Sequence, residues 1–558
     1  MMQRTRITLG VAVAALALWA ASARAAPPEE SAERQLARQF AVEAERLVRD
    51  RDTFQGAPTV AAVWAELGDA ERAEAVFALG RGRKGLHHDI SVRLLATGHA
   101  RHGDLDTARR VIAQMRGEND GFQRQLAWIE VGEALVARGD RVAASEAFDE
   151  ATTAIEAGPV DRQGIGLLGR IGSGRWANGE VDASARAFAL ALEKAPRAGT
   201  LTASCQREVG VRQAEIGNVT AARDTLARIA DPASRDTARR HVAKPLFNAG
   251  RRDDAEQLIN EIETPRQAQG AALEFAEWLV RAGEPERAKP WIARVEQAWP
   301  QINDPWRRVG LAFDVSRSHA AVGDRESAIQ WLSRAAARAD EPKGEEPGRG
   351  PPGEPEWLAQ ARRDGAWESY LREIAVAQAK LGLIPEARRM FARALAAARG
   401  REDEIWSKVA IWAVVGSQTE AGLPDDALQT MMALPRDDRD WPKLAKIGGA
   451  LAKAGRLQEA IELCDRYHGH WELAETLLAI GDPERALEVA LRQKGGSGIY
   501  PLAEIARTLA ADGREQVVVK ALRGEMHDNQ RLEILEGAME ALLSRDRLRA
   551  ASKRADRP

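Results

Sequence analysis

Residues 164 to 169 read Gly-Ile-Gly-Leu-Leu-Gly, a glycine spacing that can hold the phosphates of a dinucleotide. Such a turn works only where a strand leads into a helix, because the N-terminus of that helix supplies the phosphate ligands. Here the preceding residues, Ala143 to Ala157, have helical character and are followed by Pro159. The glycines are therefore predicted to allow close helix packing rather than phosphate binding.

A second glycine cluster, Lys494-Gly495-Gly496-Ser497-Gly498, has the composition of a phosphate-binding loop. Its order differs from the Gly-x-x-x-x-Gly-Lys-Ser/Thr motif, in which backbone amides and the lysine surround the phosphates. The cluster is therefore predicted to connect two helices, and no cofactor is expected.

Cysteine and histidine side chains that could bind a transition metal come close together in sequence at three places. These are Cys464 with His468 and His470, the pair His87-His88, and the pair His99 and His102. No His-Glu-x-x-His spacing occurs, and the paired histidines lie in or near predicted loops, where exposed histidines are common. A specific metal site is not expected.

The composition of the 558-residue chain favours an all-α fold. Hydrophobic residues make up 44% of it, alanine and leucine recur at helical spacing, and runs of β-branched residues are scarce. Eighty lysines and arginines against 83 aspartates and glutamates leave a formal net charge of −3, which argues against a nucleic-acid partner. The chain is too long for one compact domain, so a repeat array or several domains are expected.

The first 25 residues have the three parts of a secretory signal peptide. Arg4 and Arg6 precede an apolar stretch, residues 7–21, and Ala23-Arg24-Ala25 places small residues at the −3 and −1 positions. The apolar stretch is shorter than the roughly 20 residues that span a membrane, which disfavours an uncleaved anchor. Cleavage after Ala25, a periplasmic or secreted location and no stable membrane insertion are predicted.

Thirteen glycines share a fixed register with small residues on either side. They lie at 68, 103, 139, 179, 217, 250, 283, 323, 382, 422, 455, 481 and 513. Alanine follows five residues later in eleven cases, with Ser184 and Val518 as exceptions, and Gly or Ala precedes by seven residues in eleven, with Ser316 and Val415 as exceptions. Because glycine can end a helix and small residues let helices pack closely, each unit is predicted to be an antiparallel helix pair.

This register resembles the tetratricopeptide repeat family, whose unit is two antiparallel helices with small residues and a turn glycine in this order. The fullest match comprises Ile374, Ala375, Gly382, Ala387, Phe391 and Ala394, and Gly139, Ala144, Phe148 and Ala151 repeat its second half. Trp128 and Trp64 lie on aromatic positions of the family's first helix, and Cys464 lies on that of its second helix. The turn glycines are unevenly spaced, most widely where the chain runs from 323 to 382, so the array is degenerate.

The resemblance implies an α-solenoid of about 13 helix hairpins, in which stacked neighbours share a continuous core. The basic end of the chain, from Arg545 onward, is expected to fray. The predicted segments are a signal peptide at 1–25, a capping helix at 29–53, eight repeats at 54–339, a Pro/Gly/acidic linker at 340–356, five repeats at 357–530, and a C-terminal helix with a basic tail at 531–558.

In the tetratricopeptide family, peptides bind along the groove that the first helices of successive repeats form. The matching positions with larger side chains here are Trp176, Arg207, Arg240, Lys244, Phe247, Phe313, Arg317, Arg372 and Trp412. Such a groove would be basic with aromatic anchors, which suits a protein or peptide partner with acidic segments. The alternative is that these are ordinary solvated positions of an arginine-rich chain.

The predicted function is an exported, non-enzymatic scaffold for protein–protein interactions. One alternative is an envelope enzyme that acts on cell-wall glycan or peptide with a site on the solenoid loops. Neither a Gly-x-Ser-x-Gly motif nor a separate catalytic domain is present to favour it. Another alternative is an architectural protein that self-associates through the edges of its solenoid.

Overall fold

A computed structural model shows a protein built from helices. Within the described ranges every regular element is an α-helix or a short 3-10 helix, which confirms the predicted all-α class. None of the helices in these ranges has the length and apolar character to cross a membrane. The described ranges are 31–50, 56–80, 86–115, 120–157, 161–302, 305–338, 356–401, 403–467, 469–492, 501–524 and 526–555.

The signal peptide, the 494–498 cluster and residues 340–355 of the predicted linker lie outside these ranges. The described helices fall into two compact units, and each is considered by itself. The first unit contains α1 (Ala32–Asp50), α2 (Ala57–Glu66), α3 (Ala70–Leu79), α4 (Leu86–His102), α5 (Leu105–Ile112), α6 (Asp120–Arg138), α7 (Arg141–Glu156), α8 (Arg162–Ala177), α9 (Val181–Lys194), α10 (Thr202–Glu215), α11 (Val219–Ala227) and α12 (Pro232–Asn248).

The second unit continues with α13 (Arg252–Asn260), α14 (Pro265–Arg281), α15 (Pro285–Ala298), α16 (Pro305–Ala321), α17 (Arg325–Arg338), α18 (Glu356–Lys380), α19 (Ile384–Arg399), α20 (Glu404–Glu420), α21 (Pro424–Met432), α22 (Trp441–Lys453), α23 (Leu457–Tyr467), α24 (His470–Ala479) and α25 (Pro483–Ala490). The last three helices, α26 (Pro501–Ala511), α27 (Glu515–Leu522) and α28 (Asp528–Ala555), belong to the first unit again.

The turn glycines end the first helix of each pair as the sequence predicts. All thirteen adopt a positive φ, between 71° and 102°. In the first pair, the amide of Gly68 donates to the carbonyl of Ala65, and the next amide, that of Asp69, donates to the carbonyl of Trp64. The Asp69 side chain then accepts from the amide of Arg72 and so caps the second helix. Local hydrogen bonding therefore fixes the helix boundaries.

Small residues in the predicted register lie where the paired helices approach each other most closely. A methyl group on Gly172 would lie 2.7 Å from the ring of Phe188, so only glycine fits there. The two serine exceptions also lie between the paired helices. The hydroxyl of Ser184 donates to the carbonyl of Gly172 (2.7 Å), and that of Ser316 donates to the carbonyl of Ala328 (2.6 Å). Serine is tolerated because its buried hydroxyl has a partner.

The first unit brings the two ends of the described chain together. Helix α1 packs against α2 and also against α28, which packs in turn against α26. Arg34 pairs with Asp546 at 3.4 Å, and Arg545 and Arg549 both pair with Glu33. The expected fraying from Arg545 onward is therefore wrong, because these arginines join a helix that continues to Ala555.

The compact units also differ from the two predicted blocks. Described residues on both sides of the 340–356 segment belong to the second unit, and the boundaries fall at Arg251/Arg252 and Gln493/Lys494 instead. Contacts between α1 and α28 account for this division, since they join the first and the last described helices of the chain. The linker itself and the repeat count of each block stay predictions.

Candidate functional site

Successive first helices pack against one another within each unit and expose a row of side chains. In the first unit, α8 contacts α10, and α10 contacts α12. In the second unit, α16, α18, α20, α22 and α24 make the same succession of contacts. The second helices of the pairs, such as α9 and α11, pack behind them. We call the exposed side of the first helices in each unit its first-helix surface.

The predicted residues on the first-helix surface of the first unit differ in exposure. Trp176 is 36% exposed and Lys244 is exposed, so both can contact a partner. Arg207 is half-buried, and its guanidinium donates to the hydroxyl of Ser204 (3.1 Å). Arg240 is also half-buried. Phe247 is only 8% exposed and belongs to the core, so it offers no anchor for a ligand.

The predicted residues of the second unit are more strongly engaged with their own chain. Arg317 is exposed and pairs with Asp314 at 3.5 Å, while Phe313 is half-buried. Arg372 donates to the hydroxyl of Ser417 (3.3 Å). The indole N–H of Trp412 donates to the carbonyl of Asp438 (2.9 Å). These last two side chains therefore hold neighbouring elements in place.

Carboxylates beside these arginines make the first-helix surface of the second unit mixed in charge. Burial raises the pKa of Asp314; the cation of Arg317 opposes this shift and the carboxylate of Glu373 adds to it. Burial also lowers the pKa of Arg372, against the favourable charge of Glu373. In the described part of α16 and α18 the surface is therefore mixed in charge, whereas the sequence predicts a basic groove with aromatic anchors.

An exposed apolar group on α20 was not predicted from the sequence. Ile405, Trp406 and Val409 are 71%, 53% and 39% exposed, on consecutive turns of a first helix. A soluble protein leaves large apolar side chains adjacent on its surface mainly where they contact another molecule. In the sequence these residues have the same i, i+1, i+4 spacing as the buried Ala410, Ile411 and Val414 five positions later, so the pattern alone did not distinguish the exposed set from the buried one.

The glycine motif at 164–169 lies inside α8 and not in a turn. Asp161 caps this helix by accepting from the amide of Gly164 (2.9 Å). Gly164 and Gly169 are buried, and a methyl group on Gly166 would lie 2.8 Å from the carboxylate of Glu208 on α10. The glycines thus serve close packing between helices, as predicted.

The cysteine and histidine side chains considered as metal ligands do not converge among the described residues. Burial raises the pKa of Cys464 to about 12, so this thiol stays protonated at neutral pH. His470 is buried, with Nε2 2.6 Å from the carboxylate of Asp465, and His468 lies outside the described ranges. His99 is buried in α4, where desolvation lowers its pKa. No group of three potential ligands is found in the described ranges.

Comparison with known proteins finds distant structural similarities. No protein-family model matches the chain, and no curated protein matches its sequence. A signal-transduction ATPase with a tetratricopeptide repeat sensor from Pyrococcus horikoshii is similar at 11% identity over 84% of this chain and 66% of its own, with a TM-score of 0.27. A pentatricopeptide repeat protein from maize is similar at 13% identity over 98% and 87%, with a TM-score of 0.24.

A circular tandem repeat protein with a novel repeat topology is similar at 14% identity, over 94% of this chain and all of its own, with a TM-score of 0.17. These structures are helical tandem repeat proteins, like the hairpins described here. The chain's own helices, turn glycines and packing show an array of helix hairpins with the register of degenerate tetratricopeptide-like repeats.

Proposed function

We propose that this chain is an exported, non-enzymatic scaffold that binds other proteins through its first-helix surfaces. The observation that carries the proposal is the exposed apolar group Ile405, Trp406 and Val409 on α20. Large aromatic and aliphatic side chains supply most of the binding energy of protein interfaces when a partner covers them. In the first unit, Trp176 and Lys244 offer a smaller aromatic and cationic contact.

Export is proposed from the residues at the N-terminus. Arg4 and Arg6, the apolar stretch 7–21 and the small residues at 23 and 25 support a cleaved signal peptide and a periplasmic or secreted protein. The repeat register runs from about residue 54 to 530 and leaves no separate domain for catalysis, which favours a scaffold over an envelope enzyme.

Placing two carboxylates in the exposed apolar group of α20 is expected to weaken the binding of partner proteins. Affinity capture from an envelope extract should recover at least tenfold less of the specific partners with Trp406→Glu/Val409→Glu than with the wild-type protein, because two exposed contacts become charged. Arg240→Glu/Lys244→Glu tests the first unit in the same way. Each variant is compared by quantitative mass spectrometry of the captured proteins.

The matched control is Val142→Glu on α7, a second helix. Val142 is 73% exposed, more than Trp406 or Val409, so the substitution places one negative charge on a more accessible apolar position of the other helix of a pair. This variant should capture the wild-type set of partners. Identical partner lists for the α20 variant and the wild-type protein would reject the assignment of this surface.

A further inference from the structure

A pocket in the second unit lies at the starts of two first helices, α22 and α24, and its lining does not include the exposed apolar group of α20. Its volume is about 480 Å³, within the range of roughly 300–1,000 Å³ typical of small-molecule sites, and it is open to solvent. It forms where the 3-10 turn at 436–438 and the start of α22 meet the end of α23 and the start of α24. The lining residues are Arg436, Pro442, Ala445, Arg466, Tyr467, Gly469 and Glu472.

One wall of the pocket is a turn that two side chains of α20 hold in place. The indole N–H of Trp412 donates to the carbonyl of Asp438, and the ammonium group of Lys408 pairs with the carboxylate of the same residue at 2.7 Å. The guanidinium of Arg439 donates to two main-chain carbonyls that precede the turn (3.2 Å each). Arg436 therefore projects from a rigid turn.

Another part of the pocket wall is the short connection between α23 and α24. Gly469 lies so close to α22 that a methyl group there would be 2.5 Å from the Cβ atom of Ala445. The hydrogen bond between buried His470 and Asp465 spans the same connection. Arg466 and Tyr467, at the end of α23, line the pocket together with Arg436.

The charged groups of the pocket have no partners among the described residues. Arg436 and Arg466 are exposed, and in the described part of the chain neither side chain makes an ion pair or a hydrogen bond. Their neighbours differ: Arg439 is bonded to carbonyls, and Arg456 pairs with Asp425 and Glu459. Two guanidinium groups at one cavity repel each other, so a bound carboxylate would be stabilised there.

The remaining lining residues restrict the chemistry of the ligand. The half-buried carboxylate of Glu472, at the start of α24, also forms no ion pair among the described residues, and it would repel a phosphate dianion. The same carboxylate would attract an ammonium group. Pro442, Ala445 and the ring of Tyr467 provide an apolar surface between the charges.

We propose that this pocket binds a short peptide with free termini, whose carboxylate contacts Arg436 and Arg466 and whose ammonium group contacts Glu472. An apolar side chain of the peptide lies on Pro442, Ala445 and Tyr467. The site goes beyond the proposed scaffold function, because it lies at the ends of helices and takes a small zwitterion instead of a protein surface. Its lining shares no residue with the exposed apolar group of α20, so the two proposals can fail separately.

Calorimetric titration of the purified full-length protein with a library of tripeptides carrying free termini tests this proposal. At least one tripeptide with an apolar side chain should bind saturably. Its C-terminally amidated form should bind at least tenfold more weakly, because amidation removes the charge that both guanidinium groups attract. N-acetylation should weaken binding through loss of the contact with Glu472. Absence of saturable binding, or equal binding of free and amidated forms, would overturn the proposal.

Substitutions identify the pocket as the binding site. Arg436→Gln and Arg466→Gln should each weaken the same tripeptide at least tenfold, whereas Arg399→Gln should leave its affinity unchanged. Arg399 is an equally exposed arginine, at the end of α19 in the same unit and outside the pocket. Binding that survives both pocket substitutions would also overturn the proposal. The amidation arm uses the wild-type protein, so its result holds even if a variant folds poorly.

Discussion

Replacing Gly537 by alanine is expected to destabilise the first unit by about 3 kcal/mol and to separate α28 from α26. A methyl group on Gly537 would overlap the carbonyl oxygen of Ala503 and would lie 2.8 Å from the Cα atom of the same residue. These are backbone atoms of a helix, so no side-chain rotation can relieve the overlap. The alanine variant should therefore unfold at a lower urea concentration than the wild-type protein.

Gly121→Ala provides the matched control in the same unit. Gly121 lies in α6, and a methyl group there would contact nothing within 4 Å. Because alanine restricts the unfolded chain and favours the helix, this variant should be stabilised by up to about 1 kcal/mol. Equal unfolding midpoints for Gly537→Ala and the wild-type protein would show that α28 does not pack on α26 as described.

The stability of the first unit is expected to fall as the pH rises from about 5 to 9, and Glu536→Gln should remove much of this fall. Glu536 Oε1 is shielded from solvent and has no hydrogen-bond partner among the described residues. Burial raises the pKa of Glu536 to about 8, and the charges of Glu533 and Glu540 add to the shift. Burial also raises the pKa of Glu533 to about 7.

The direction follows from the protons that each state binds. An unfolded glutamate loses its proton near pH 4.5, whereas folded Glu536 keeps its proton until about pH 8. Between these values the folded protein binds more protons, so the free energy of unfolding decreases as the pH rises. The favourable contribution is complete below pH 4.5 and is lost as the pH rises through 8. After allowance for partial exposure, the change at Glu536 is on the order of 2 kcal/mol.

Urea unfolding at pH 5, 7 and 9 measures the effect as the difference between the wild-type protein and Glu536→Gln. Glutamine keeps the shape of the side chain but cannot ionise, so the variant should gain stability relative to the wild-type protein as the pH rises. Glu504→Gln is the control, since Glu504 is exposed, pairs with Arg507 and does not contribute to the pKa shift of Glu536. That variant should show a small loss at every pH. Parallel pH profiles for Glu536→Gln and the wild-type protein would contradict the assignment.

Short-range chemistry explains why the helix pairs could be predicted. Glycines such as Gly68 end helices through hydrogen bonds to the preceding turn, and small residues such as Gly172 face the other helix of their own pair. The thirteen turns therefore leave a regular pattern in the sequence. Even the serine exceptions follow it, because Ser184 and Ser316 bond to the facing backbone.

Long-range contacts left no comparable pattern. Glu33 and Glu66 are buried against arginines near the end of the chain, and no local rule pairs them with Arg545 or Arg547. Family positions could indicate which helices form the first-helix surface, but not how far each side chain is exposed. For this reason Phe247 was predicted to be an anchor, although its side chain is buried in the core.

The peptide pocket shows the same limit. Arg436 and Arg466 belong to two separate helix connections, which the sequence marks only as loops. They line one cavity because Trp412 holds the first connection and the contact of Gly469 with Ala445 fixes the second. Trp412 was predicted to contact a ligand directly; its role in the structure is to position the turn that carries Arg436.

Site-specific photo-cross-linking in intact cells tests most directly whether the first-helix surfaces bind proteins. A photoreactive amino acid would replace Trp406 on α20 or Trp176 on α8, with Val142 on α7 as the more accessible second-helix position. We expect discrete cross-linked products from the first-helix positions and none from Val142. Cross-links of equal yield from Val142, or none from either first-helix position, would contradict the account.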